Sequence, residues 1–139
     1  MRNLGLALAA VATLAACDTK PDELFVDKAW VRLAAVPGRP AAAYFTLHGA
    51  PDRAATLIAV STDIAISTEL HESMAGGMRP IRQVVVPPKA TIAFEPGGRH
   101  AMLFDVNAGI KPGGNVTLTF AFSDGTRLEQ KAIVRGANE

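Results

Sequence analysis

After the initiator Met1 the chain carries three methionines and three histidines, and five of these six lie between residues 71 and 102: His71, Met74, Met78, His100 and Met102. Imidazole nitrogen with thioether sulfur is a soft donor set. Thioethers select Cu(I), whereas zinc favours thiolate, imidazole and carboxylate. A thioether also cannot be lost to disulfide formation in an oxidising compartment. The one cysteine, Cys17, lies far upstream. A blue-copper electron-transfer centre requires a cysteine ligand, so the donor set points to a carrier of Cu(I) rather than a redox protein. Methionine in a core is ordinarily a gap filler, but Met74 and Met78 sit in the Gly-containing segment Glu72–Met78, where burial gives little reason for them.

Positioning these donors is a task for β-structure. His100 and Met102 are two residues apart and share one face if their segment is a strand. They follow the turn residues Pro96-Gly97-Gly98, which places them near one end of the domain. The pattern predicts strands over 24–33, 42–48, 56–61, 65–71, 81–86, 91–94, 100–106, 116–122 and 127–134, separated by turns rich in Gly, Pro and Asp. Val116–Phe120 alternates as a half-buried antiparallel strand does. His71 closes the fourth strand and opens a loop over Glu72–Met78. Short strands at this spacing, with no long helical stripe downstream of the leader, argue for a β-sandwich or barrel. Loops cluster at the ends of such a fold, so His71 and the His100–Met102 pair can supply a single site.

The first residues have the plan of a secretory leader. Arg2 precedes the apolar, small-residue run Leu4–Ala16, which is shorter than the roughly 20 residues of a membrane span. Leu14-Ala15-Ala16-Cys17 resembles a bacterial lipobox, which implies removal of residues 1–16, lipidation of Cys17 and a tether over 17–23 ahead of a domain at 24–136. Asp18 resembles an inner-membrane retention signal. The expected location is the bacterial envelope, lipid-anchored and facing the periplasm. The whole chain has 14 Lys and Arg against 13 Asp and Glu. Loss of Arg2 with the leader balances them, which leaves no basic surplus for a nucleic acid. With no second cysteine, the core must hold the fold unaided.

His71, Met78 and His100-Ala101-Met102 resemble the periplasmic copper chaperones of the PCu(A)C type. Their signature is a His, a Met about ten residues on, and His-x-Met after twenty-one more; here twenty-one residues separate Met78 from His100. Trp30-Val31-Arg32, Ala43-Tyr44-Phe45, Leu70-His71-Glu72-Ser73, Gly77-Met78-Arg79-Pro80 and Pro96–His100 are similar to the family as well, and the likeness runs over 24–134. It implies a cupredoxin-like Greek-key β-sandwich or barrel that holds Cu(I) on His71, Met78, His100 and Met102. It also implies delivery to the copper centre of a haem–copper oxidase, to another envelope acceptor or to another copper carrier. The chain departs from the signature in one place: only six residues separate His71 from Met78. That leaves open whether Met74 or Met78 coordinates.

Other residues carry milder expectations. His48 reads as a surface or hydrogen-bonded histidine, and Trp30 as core or a partial lid. Glu72 and Arg79 either orient His71 and shape docking or are solvated charge. Ser73 beside His71 lacks an acidic third member, and no Gly-x-Ser-x-Gly elbow is present, so hydrolase chemistry is rejected. The absence of a carboxylate-rich or multi-histidine cluster argues against a copper oxidase, and the chain reads as a non-enzyme. The competing reading is a lipid-anchored interaction or assembly module whose metal site has degraded.

Overall fold

A computed structural model describes residues 22–139. The leader, Cys17 and most of the tether therefore lie outside the described residues. Ten strands and no helix make up the described chain: β1 (Phe25–Arg32), β2 (Ala41–His48), β3 (Ala55–Ser61), β4 (Ala65–Met74), β5 (Gly77–Pro80), β6 (Val84–Val86), β7 (Thr91–Phe94), β8 (Arg99–Val106), β9 (Asn115–Phe122) and β10 (Arg127–Arg135). The all-β class expected from the sequence is the class observed.

The strands hydrogen-bond in one path, β5-β4-β8-β2-β1-β10-β9-β3-β6, with β7 also paired to β2. β1 runs parallel to β10, and all other pairs are antiparallel. β2 turns the corner of this rolled sheet. Its first half, Ala41–Ala43, pairs with β8, and its second half, Phe45–His48, pairs with β7. The path curls back on itself, so that Ile58–Val60 of β3 and Thr68–Leu70 of β4 line one shallow cleft.

Alternation decides what is buried. β9 sends Val116, Leu118, Phe120 and Phe122 inward, and β10 adds Ala132 and Val134. At the centre Phe45 stacks on Phe94 at 4.3 Å and meets Phe120 edge-on at 4.7 Å. A register shift between Asp27 and Trp30 keeps Val26, Ala29 and Val31 all pointing inward; Lys28 takes a φ of 52° there, as a β-bulge permits.

The main departure from the sequence reading is at Glu72–Met78, where a loop was expected. β4 instead continues to Met74, turns through Ala75-Gly76 and returns as β5. Gly76 has a φ of 86°, which a glycine adopts without steric cost. β5 is the end of the path, so Pro80, which has no N–H to donate, sits on an edge strand where it can be accommodated. The strand expected over 81–86 shrinks to Val84–Val86, because residues 81–83 must carry the chain from β5 at one end of the path to β6 at the other.

Candidate metal centre

His71 on β4 lies directly opposite His100 on β8. In the same ladder Met102 opposes Glu69, and in the β4–β5 hairpin Met78 opposes Ser73. Directly opposed residues share a face, as do residues two apart on one strand. His71, Ser73, Met78, His100 and Met102 therefore all lie on one face of the β5-β4-β8 ladder. Leu70, Ala101 and Leu103, on the other parity, point into the core. Met74 falls on that second parity together with Glu72, away from the histidines. Strand alternation separates the two methionines that the sequence left as alternatives. Both are about half exposed, Met74 at 52% and Met78 at 55%, so neither fills the core.

The two imidazole rings lie 5.9 Å apart, centroid to centroid, and tilt by 36°. One ion bonded to a nitrogen of each ring can span that separation. The hydrogen bonds show which nitrogens are free. His100 Nδ1 is 3.1 Å from the Gly98 carbonyl, which can only accept, so Nδ1 carries the proton and Nε2 keeps its lone pair. His71 Nε2 is 3.0 Å from Glu69 Oε2; a carboxylate likewise accepts, so His71 keeps its lone pair on Nδ1. That Nδ1 is buried and has no hydrogen-bond partner. A buried orphan nitrogen costs about 1–3 kcal/mol, and an incoming Lewis acid would satisfy it. His100 is itself 6% exposed, the only buried residue among the described polar and charged ones.

The turn before β8 prepares this arrangement. Pro96 and Gly97 occupy the central positions of a turn closed by a 3.0 Å bond from Gly98 N–H to Glu95 O, and Gly97 has a φ of 86°. That is a type II turn, with Pro first and Gly second. The same Gly98 carbonyl that orients His100 also accepts the Ser73 N–H at 3.1 Å. It thereby ties the turn to the hairpin that carries Met78.

On the opposite face Glu72 lies between two guanidiniums, Arg79 at 2.7 Å and Arg99 at 3.8 Å. The hydrogen bond from Arg79 is the main cause that holds the Glu72 carboxyl below its ordinary value. Partial desolvation opposes it, and the charges of Arg79 and Arg99 add to it. The partner that orients His71 is therefore Glu69, two residues before it on the same face. The spacing Glu69-Leu70-His71 carried that signal once the segment was read as a strand. His48 bonds Asp27 at 2.8 Å and stacks on Phe25 at 4.2 Å, the hydrogen-bonded role expected of it. Among the described residues no three His, Cys, Asp or Glu side chains gather as a metal site. The face that carries His71 and His100 adds Met78 and Met102, a donor set that suits a soft ion better than a hard one.

Comparison with known proteins places this geometry. The model of the LpqE-like lipoprotein family matches residues 24–134. The protein Lxx21020 of Leifsonia xyli subsp. xyli, named as a lipoprotein, is 29% identical over an alignment that spans 98% of this chain and 87% of the relative. The solution structure of Cu(I)-bound DR1885 from Deinococcus radiodurans is 31% identical, with a TM-score of 0.62 over 79% of this chain and 78% of that one. The copper-bound PCuAC domain of PmoF2 has a TM-score of 0.70 over 82% of this chain and 93% of that one; at 22% identity it bears on the fold alone.

Proposed function

The chain belongs to the LpqE-like lipoprotein family, and on that premise we propose that it is a Cu(I)-binding metallochaperone of the bacterial envelope. The observation that carries the reading is the cross-strand pair His71 and His100, with its buried orphan Nδ1 and with Met78 and Met102 on the same face. The Cu(I)-bound relative DR1885 supports it. Copper is cargo here. His71 Nδ1 and His100 Nε2 would supply two nitrogens, and Met78 and Met102 two sulfurs. All four are neutral, so the site adds no charge of its own to the ion.

Release needs no acid or base. Met78 sits on an edge strand and is half exposed, so an incoming donor from an acceptor can displace it first and the other donors in turn. The acceptor is a copper-accepting envelope protein, such as an oxidase subunit, or a second carrier. Lipidation at Cys17, removal of residues 1–16 and a tether over 17–23 would hold the domain at 24–136 on the periplasmic side of the inner membrane. Cu(I) titration of the full chain in detergent, with X-ray absorption to count donors, tests the site. One ion per chain with a mixed nitrogen and sulfur shell is expected. No uptake above background would leave the interaction-module reading in its place.

Two substitutions test how the strand geometry selects donors. Met78→Leu keeps the volume and removes the sulfur, and it is expected to weaken Cu(I) binding by at least about tenfold, since loss of even an outer partner of a ligand costs about 10–100-fold. Met74→Leu, on the opposite face, is expected to leave affinity within about twofold. Equal losses, or the reverse order, would mean that Met74 supplies the sulfur. Glu69→Leu removes the acceptor that keeps the proton of His71 on Nε2. Its side chain is 59% exposed, which puts the effect at the low end of the same range, about tenfold. Nitrogen chemical shifts of the His71 ring in the copper-free protein should show the proton redistributing to Nδ1. Unchanged shifts would remove Glu69 from this role.

A further inference from the structure

The face that carries the donors continues across β2, β1 and β10. In that direction it bears a cluster the copper site does not use. The Tyr44 ring lies 6.5 Å from the His100 ring and 4.6 Å from Trp30. Arg32 lies over both aromatic rings, 5.3 Å from Tyr44 and 5.5 Å from Trp30, and donates a 2.8 Å hydrogen bond to the Tyr44 hydroxyl. Arg135, opposite Arg32 on the neighbouring strand, lies over Trp30 at 4.7 Å. Ile133, opposite Trp30, is 51% exposed.

Two features make this more than a solvated face. Among the described residues neither Arg32 nor Arg135 has a carboxylate within 4 Å; Arg39, Arg82 and Arg127 share that, but only Arg32 and Arg135 are also held over aromatic rings. Stacking on π faces fixes both guanidiniums without consuming their charge. The accessible residue types, Trp and Arg, are also enriched where binding energy concentrates at protein interfaces, and Tyr44, itself buried, holds them from beneath.

We propose that the Trp30–Arg32–Arg135 face, backed by the buried Tyr44 ring, is the surface on which a partner protein docks through its carboxylates. The inference rests on the copper-carrier reading and names the partner's chemistry. Charge complementarity supplies the argument: two fixed, uncompensated guanidiniums match paired Asp or Glu side chains in a forked, bidentate geometry. The face adjoins His100, so a partner seated there is within reach of the donors. Because the donors are neutral, a bound Cu(I) adds one positive charge beside the patch. The loaded protein attracts an acidic surface more strongly than the empty one, which favours docking before transfer and separation after it.

Trp30 is the only tryptophan in the chain, so its fluorescence reports occupation of the patch directly. The full chain in non-ionic detergent would be titrated with a synthetic Asp/Glu-rich peptide that lacks aromatic residues. Saturable change in Trp30 emission is expected, weakening several-fold between about 50 and about 200 mM salt. The pair Arg32→Gln and Arg135→Gln should weaken binding by at least about tenfold. If that pair does not fold, Arg135→Gln alone, on an exposed side chain, carries the test. Loss of two exposed cations elsewhere, Arg82→Gln with Lys111→Gln, should change binding by less than about twofold. Equal losses in the two pairs, or no binding, would overturn the proposal. So would a Trp30 response to phosphatidylglycerol vesicles without one to the peptide, since the face would then lie on lipid. Cu(I) uptake is scored on the same preparation. Uptake without peptide binding overturns the docking inference alone, and peptide binding without uptake overturns the carrier reading beneath it.

Discussion

The full chain carrying His100→Ala together with Met102→Leu is expected to take up no Cu(I) above background when titrated against a Cu(I)-selective chelator. Both residues project from β8 onto the face shared with His71, and together they supply two of the four proposed donors. Loss of an outer partner of a ligand costs about 10–100-fold in metal affinity, so loss of two donors costs at least about 10²-fold by that measure. The inward residues of the same strand, Ala101 and Leu103, are untouched and fully buried, so the fold should survive. Far-ultraviolet circular dichroism and the unfolding midpoint check that it does. Leucine matches methionine in volume, so a changed affinity reports the sulfur and not a packing fault. Parent-like uptake by this double variant would remove the site assignment altogether.

Phe120→Ala is expected to destabilise the domain by about 3–5 kcal/mol, a large part of the 5–15 kcal/mol that holds a typical domain together. Phe120 is fully buried and packs edge-on against Phe45, which in turn stacks on Phe94. One change therefore empties the centre of the rolled sheet. With a single cysteine in the chain, no intramolecular disulfide can offset the loss. Urea unfolding followed by Trp30 emission measures it, with Ile66→Ala as the control. Ile66 is 82% exposed, and its loss should stay within about 0.5 kcal/mol. A Phe120→Ala cost below about 1 kcal/mol would mean that the core lies elsewhere. Copper binds the folded form, so adding Cu(I) should recover part of the lost stability by mass action.

Much of the fold was legible because alternation is a local property. Val116–Phe120 shows its buried face in the order of its residues, and Pro96-Gly97-Gly98 announces the turn before β8. The β4–β5 hairpin was not legible, because Gly77-Met78-Arg79-Pro80 holds two residues that are depleted in strands. Only its edge position makes them tolerable. With the hairpin unread, parity could not be assigned to Met74 and Met78; Glu69 and His71, by contrast, share a face within the strand expected over 65–71.

Residue types and their order along the chain determined the soft donor set, the shared face of His100 and Met102, and the β-class that carries them. These follow from side-chain chemistry and the two-residue period of a strand, which need no partner strand to be known. The tertiary structure alone decided that His71 faces His100 across a ladder, which methionine shares their face, which nitrogen of each ring is hydrogen-bonded, and that two arginines gather beside them with no carboxylate within 4 Å among the described residues. The His71–His100 and Arg32–Arg135 pairings depend on register between segments about thirty to a hundred residues apart, which is settled by how the whole core packs; the parity of the methionines follows from the β4–β5 hairpin register, and the ring hydrogen bonds from neighbours two residues away.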